Sequence, residues 1–305
     1  MKHPELLKEG DCVALVATAR KVNHEEVAPA IELLKRWRLN VKVSENLFKQ
    51  DNQFAGNDDH RRTMLQEALD DDSIKAIWCA RGGYGTVRII DDLNFEHFKQ
   101  HPKWLIGYSD ITVLHSHINQ NYGIATMHAT MPLNVTEEII NKNADSIASL
   151  KQGLMHGKLE YNFTPHSMNR KGIAEGEIIG GNLSILYSLC GSASDINTDG
   201  KILMIEDLDE YLYHIDRMMQ NLKRTGKLKN LKGLIVGAMT DMHDNTIPFG
   251  KTAEEIVWDA VKEYNYPVCF NAKFGHIGEE NLALPMGIES KMEIDTNGNC
   301  KLTIG

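Results

Sequence analysis

The sequence predicts an α/β protein in two parts: a parallel sheet flanked by helices over the first half of the chain, then a smaller mixed α/β unit. Three observations predict it. From the N-terminus onward, short apolar runs alternate with amphipathic stretches, as in a parallel sheet covered by helices. Between residues 153 and 172 this pattern lapses into Gly, His, Asn, Pro and Ser with little periodicity, which marks a surface connection. The chain has 305 residues, more than one hydrophobic core comfortably supports. Domains are therefore expected over 1–152 and 173–305, with 153–172 as the linker.

Taken in order, the first half predicts strands over 12–18, 41–44, 76–80, 104–107 and 124–127. Helices are expected between and after them, over 24–37, 58–69, 110–120 and 137–150. The first helix places Val27, Ile31, Leu33 and Leu34 toward one face and most of its Glu and Lys on the other, so it covers the sheet. The second half predicts strands over 174–179, 201–205, 234–238 and 267–270, with a helix-like pattern over 211–222. A hairpin of 291–294 and 300–304 closes the chain across Thr296-Asn297-Gly298, where the Asn-Gly pair supplies the positive φ of a tight turn.

Composition narrows the function. With 42% hydrophobic and 25% charged residues the chain is an ordinary globule, neither disordered nor fibrous. A formal net charge of -9 disfavours nucleic acid and anionic lipid as partners. The five cysteines, Cys12, Cys79, Cys190, Cys269 and Cys300, are odd in number and form no CxxC pair, which suggests buried thiols in a reducing compartment. The opening MKHPELLKEGDC has no apolar signal region, and no run approaches the roughly 18 apolar residues of a membrane span. A cytoplasmic location is expected.

Three glycine-containing clusters follow apolar strands, and ligands of open α/β sheets bind at the carboxyl ends of strands. Arg81-Gly82-Gly83-Tyr84-Gly85 lets backbone N–H groups approach a ligand, so it suits an anion or an oxyanion; the plainer reading is a tight turn. It is neither GxGxxG nor a P-loop, which disfavours a dinucleotide. In Ile106-Gly107-Tyr108-Ser109-Asp110, a serine at a sharp strand-to-helix turn exposes its hydroxyl at the positive end of a helix and can act as a nucleophile. Ser109 or Asp110 as a simple N-cap is the alternative. In Gly180-Gly181-Asn182, Asn182 either contacts a substrate or caps a helix.

A serine nucleophile needs a base, and the base an orienting acid. Glu206-Asp207 at the end of an apolar strand offers a carboxylate, unless it merely starts a helix. His276, between Gly275 and Gly278 in a loop, offers an imidazole free to project into a cleft; the plainer reading is an exposed loop histidine, one of 13 in the chain. A metal is the weaker alternative: His97 and His101 lack the glutamate of HExxH, and Asp241, His243 and Asp244 fall in a polar loop. No cofactor and no metal are called for.

Together these segments resemble the LD-carboxypeptidase family, serine peptidases that include muramoyltetrapeptide carboxypeptidases and self-immunity peptidases against microcin C. The similarity runs in order from Gly10 to the last strand and is carried by residues 81–85, 106–110 and 180–183, by Ile205-Glu206-Asp207 with Asp216-Arg217-Met218, and by Phe274-Gly275-His276. It implies a Rossmann-like N-terminal domain bearing the nucleophile Ser109, and a C-terminal domain bearing the base His276 and its orienting acid Glu206. The active site would lie in the cleft between them. The resemblance also implies oxyanion donors from Asp110 N–H and the Gly82-Gly83 turn, a homodimer, and release of D-alanine from cell-wall tetrapeptides during peptidoglycan recycling. Arg81 is the candidate for the substrate's free carboxylate, or else pins its loop to Asp or Glu neighbours, with Tyr84 and Asn182 as further substrate contacts. The chain departs from the family at Ala17-Thr18-Ala19-Arg20, where Ala-Pro-Ser is usual, and at His128-Ala129-Thr130-Met131, where His-Gly-Pro-Met is common, two segments that could line the substrate pocket. Two rivals remain at this point: a microcin-immunity peptidase acting on peptide–nucleotide conjugates, which would carry a longer aromatic insertion, and a non-catalytic two-domain binding protein, a class usually exported.

Overall fold

Strand β1 (Cys12–Val16) buries Val13, Ala14, Leu15 and Val16, as a central strand covered on both faces must. The computed structural model describes residues 1–305. After β1, helix α1 (His24–Arg36) starts at a capping box between Asn23 and Glu26, carries Glu25 and Glu26 in its first turn and Lys35 and Arg36 in its last, and buries Val27, Ala30, Leu33 and Leu34. There follow β2 (Asn40–Val43), α2 (Asp58–Asp70), β3 (Ile74–Cys79), the short α3 (Glu96–Gln100), β4 (Trp104–Gly107), α4 (Thr112–Tyr122) and β5 (Thr126–His128). Strands β1 to β5 pair in parallel.

One helix was expected over 137–150; there are two, α5 (Glu137–Lys142) and α6 (Asp145–Met155). Asn143 separates them in a left-handed conformation (φ 47°), which the hydrophobic pattern does not register. The stretch read as an irregular connection is also more ordered than expected. Helix α6 runs to Met155, and Leu159–Phe163 forms β6, whose alternating Leu159, Tyr161 and Phe163 are buried. Only five residues long, β6 is specified by pairing with the last strand, far away in sequence.

The second half continues with β7 (Gly172–Asn182), α7 (Leu183–Leu189), β8 (Ile202–Leu208), α8 (Leu212–Arg224), β9 (Gly233–Thr240), α9 (Ala253–Val261), β10 (Val268–Cys269), β11 (Leu284–Met286) and the hairpin β12 (Glu289–Ile294) and β13 (Cys300–Ile304). The first sheet has the order β11-β5-β4-β3-β1-β2, and the second β10-β9-β8-β7-β12-β13-β6. In the second, β7 to β10 are parallel and β12, β13 and β6 antiparallel, so that sheet is mixed.

The two sheets are physically interlocked. Strand β11, from the second half, joins the edge of the first sheet antiparallel to β5, opposing Leu284 to His128. Its Pro285 is tolerated because an edge strand can spare an N–H. Ala283 N–H donates to Ser149 Oγ (2.9 Å), Tyr161 Oη donates to Ala283 O (2.6 Å), and Asn182 N–H donates to Thr112 Oγ1 at the start of α4 (3.0 Å). One apolar cluster accordingly includes Leu15 and Trp78 of the first half with Ile202 and Leu302 of the second. A smaller one lies under α8 and α9. No helix is long and apolar enough to cross a membrane.

Candidate active site

Parallel strands deliver their carboxyl ends to one edge of a sheet, and the residues singled out above lie at those ends. Ser109 follows β4 after Gly107 and Tyr108. It has φ of 62°, a left-handed conformation rare for a residue with a side chain and one that costs on the order of 1–3 kcal/mol. A tight turn over Ser109–Ile111 then leads directly into α4. Such a strained elbow points a hydroxyl away from its own strand. No side chain caps the turn or α4, so neither Ser109 nor Asp110 spends its side chain there as an N-cap.

The turn after β3 packs against this elbow: a methyl group placed on Gly82 would fall 3.2 Å from Ser109 Oγ. Asp110 is buried, and its carboxylate accepts a 2.9 Å bond from Thr86 N–H, tying the elbow to the end of the glycine segment. Burial pushes the Asp110 carboxyl up, against the hydrogen bonds it accepts.

Glu206 is the fifth of seven residues in β8 and is fully buried. The alternative that it starts a helix therefore fails, since α8 begins at Leu212 after an N-cap at Tyr211. His276 lies in the loop after β10, and its Nδ1 is 2.7 Å from Glu206 Oε2. Burial alone would push the Glu206 carboxyl up, but the flanking imidazoles of His128 and His276 outweigh it and hold the group at about 2. His276 Nδ1 therefore carries the proton of this bond. His128 Nε2 is 4.0 Å from Glu206 Oε1, beyond direct hydrogen-bond reach, so the His276 contact is the structural one. For His276, burial opposes the charged form, yet the hydrogen bond and charge of Glu206, with a contribution from Asp207, raise it above the ordinary imidazole range. The His276 ring packs 4.8 Å from the ring of Tyr108, the neighbour of Ser109. In this structure His276 bonds to Glu206 and not to Ser109 Oγ.

Gly275 makes the dyad possible. Its φ is 102°, and a methyl group there would fall 2.5 Å from Glu206 Oε2, the atom that meets His276. Gly275→Ala is expected to displace that carboxylate and lower kcat by at least about 10², with a fall in melting temperature from the strained φ. Kinetics and a melt of the one variant check both.

Asp207 points the other way, accepting from Asn182 Nδ2, Ser184 N–H and Leu208 N–H, each at 2.9 Å. Burial, and then the adjacent Glu206 charge, push it up to about 7. The Asn182 side chain, which also accepts from Ile185 N–H as the N-cap of α7, is occupied by the fold.

The other expected substrate contacts are placed as follows. Arg81 donates to Lys21 O (3.1 Å) and lies 3.9 Å from Glu26, which pins its own loop. Tyr84 is exposed, its ring 6.1 Å from that of Phe54. Two residues of the segments expected at the substrate pocket lie beside the site, with no individual role legible from sequence: His128, whose place beside Glu206 depends on β5 meeting the second half, and Arg20, whose stem covers Gly83. Both fall in segments where the chain departs from the resembled family, which was the one available signal.

The metal alternatives lie elsewhere. Asp244 is spent on Asn245 N–H and Phe249 N–H of its own loop, and His243 on Asp209. His97 meets Asp72 at 2.8 Å with His101 stacked beside it, at the amino ends of β3 and β4, the edge opposite Ser109.

The family model described as the LD-carboxypeptidase N-terminal domain matches residues 13–129, and that of the LD-carboxypeptidase C-terminal domain matches residues 175–292. A probable murein peptide carboxypeptidase of Bacillus subtilis (strain 168) is 37% identical over 295 residues, covering 95% of this chain and 91% of its own. Among solved structures, a muramoyltetrapeptide carboxypeptidase from Oxalobacter formigenes superposes with a TM-score of 0.86 at 24% identity, covering 96% of this chain and 98% of that one. The structure of MccF in complex with glutamyl sulfamoyl guanosine superposes with a TM-score of 0.85 at 19% identity, covering 98% of this chain and 97% of that one. Both structural matches show the same fold.

Proposed function

The chain belongs to the LD-carboxypeptidase family, and on that premise we propose that it is a serine carboxypeptidase that releases C-terminal D-alanine from peptidoglycan tetrapeptides. The observation that carries the reading is the partly buried 2.7 Å bond between His276 and an ionised Glu206, with the His276 ring 4.8 Å from that of Tyr108, the residue before the strained Ser109. In this reading Ser109 Oγ attacks the carbonyl carbon before the terminal D-alanine while His276 Nε2 takes the hydroxyl proton. Glu206 accepts the Nδ1–H bond, fixes the ring orientation and stabilises the imidazolium. Backbone N–H groups of Asp110 and of the Gly82-Gly83 turn receive the oxyanion, and the start of α4 adds its dipole. His276 then gives the proton to the leaving amine, and water resolves the acyl-enzyme with the same base.

The name of the 37% identical relative supports a murein peptide as substrate. The microcin-immunity reading shares the fold, but only three residues separate β8 from α8, which leaves no aromatic insertion for a nucleobase at that point. Incubation with purified muropeptide tetrapeptides and mass spectrometry for loss of D-alanine tests the proposal. An inert tetrapeptide together with a cleaved peptidyl sulfamoyl nucleoside would replace it. Five cysteines unpaired in the fold support the cytoplasmic setting of this proposal, and the homodimer inferred from the family is checked by sedimentation.

Two outcomes follow from the chemistry. The base must be neutral, and His276 is raised above its ordinary value near 6.5, so kcat/KM is expected to fall as pH drops through a midpoint above about 6.5. By linkage, the same raised group stabilises the fold fully below its unfolded value and loses that contribution as pH rises through the folded one. A pH–rate profile checks the first effect, and pH-dependent melting the second. The reaction as written uses no metal, so exhaustive chelation is expected to leave turnover within about twofold of the untreated enzyme. Loss restored by zinc would reassign the chemistry.

A further inference from the structure

We propose that Arg20 is the receptor for the substrate's terminal carboxylate, an inference that rests on the reading of Ser109 as nucleophile. Adjacent glycines set the geometry. A methyl group on Gly82 would meet Ser109 Oγ at 3.2 Å, whereas one on Gly83 would meet Arg20 Cδ at 2.6 Å and Nε at 2.8 Å. Consecutive Cα atoms are about 3.8 Å apart, so the Arg20 side chain crosses the turn one residue step from the attacking hydroxyl. In a substrate with a free C-terminus, the carboxylate is likewise one residue step from the scissile carbonyl carbon, beyond the amide nitrogen and one Cα. The two spacings match.

Arg20 is also the arginine of this region whose charge the fold leaves available. Arg61 is buried against Thr18 O, Gly56 O and Asp58; Arg88 forms a forked pair with Asp58; Arg81 is bonded to Lys21 O beside Glu26. The Arg20 side chain is exposed and makes neither an ion pair nor a side-chain hydrogen bond. Its backbone, by contrast, is anchored on both sides: Arg20 N–H donates to Gly82 O (3.4 Å), Ala55 N–H to Ala19 O (3.1 Å) and Lys21 N–H to Gln53 O (3.0 Å). A stem fixed at its base and laid over glycine, with a free guanidinium, suits forked recognition of a carboxylate. On a chain of net charge -9 such a cation also offsets repulsion of an acidic peptide. The enzyme would thereby select free acids over amides and act only at chain ends.

Binding tests this without turnover. Calorimetry with the Ser109→Ala protein compares a D-alanine-terminated tetrapeptide with its C-terminal amide, with and without Arg20→Gln. A charge-assisted pair predicts that the acid binds about 10- to 100-fold more tightly than the amide. Arg20→Gln is expected to erase that preference while leaving amide affinity and melting temperature unchanged, and Arg20→Lys to restore part of it. An acid preference that survives Arg20→Gln, an equal loss for acid and amide, or a tetrapeptide acid that does not bind would overturn the role of Arg20. Release of D-alanine by the unmodified enzyme is scored separately, so failure of the proposed function is distinguishable from failure of this inference.

Discussion

Ser109→Ala is expected to abolish turnover, lowering kcat by about 10⁴ to 10⁶, the range seen when a serine nucleophile is removed from a triad. Substrate binding should persist, because only the attacking oxygen is lost. Stability should change little, since alanine meets the same left-handed backbone at φ 62° as serine does. Ser109→Gly separates strain from chemistry: glycine adopts this φ freely, so the variant should melt at a higher temperature while being as inactive as alanine. Single-turnover kinetics and a thermal melt on the two variants decide the matter. Near wild-type kcat in either would remove Ser109 from the mechanism.

Glu206→Gln carries the second large effect. The amide keeps size and polarity but removes the charge that stabilises the imidazolium, and its NH2 can face His276 Nδ1 only by inverting the ring's hydrogen bond. The equivalent change in a well-characterised serine protease costs about 10⁴ in rate, and a loss of about 10² or more is expected here. The pH profile supplies a second readout. Glu206 opposes the desolvation of His276 and holds it high, so its neutralisation should move the acid limb of kcat/KM to lower pH. Stability at acid pH changes too. A carboxyl held at about 2 contributes stability above its unfolded value near 4.3, lost as pH falls toward 2, and the variant lacks that dependence. A variant with wild-type kcat and an unmoved limb would exclude Glu206 and make Asp207 the carboxylate to examine.

Local pattern carried much of this protein. The apolar runs of β1, β3, β4 and β8 were legible because buried parallel strands need continuous apolar sequence, and the closing hairpin because an Asn-Gly turn has its own conformational requirement. Ser109, Glu206 and His276 were legible as reactive residue types at or after the ends of such strands. Their convergence was not: Glu206 and His276 are 70 residues apart and meet only because β8 and β10 belong to one sheet.

Strands β6 and β11 escaped notice because three to five residues, one of them Pro285, carry too little periodicity to specify a strand; distant partners supply the missing hydrogen bonds. The same limit governs charge. Sequence places Arg20 and Arg81 equally near the glycine turn, but whether a guanidinium is free depends on what the rest of the chain brings to it. Glu26 and Lys21 O meet Arg81, while no carboxylate or carbonyl in the fold pairs with the Arg20 guanidinium. By itself the sequence determined which elements form and which reactive groups stand at their ends, because backbone preference and hydrophobic period act over a few residues. Only the tertiary structure decided which groups are paired, which are strained and which are left for a substrate, because burial, hydrogen bonding and Coulomb energy depend on distance in space.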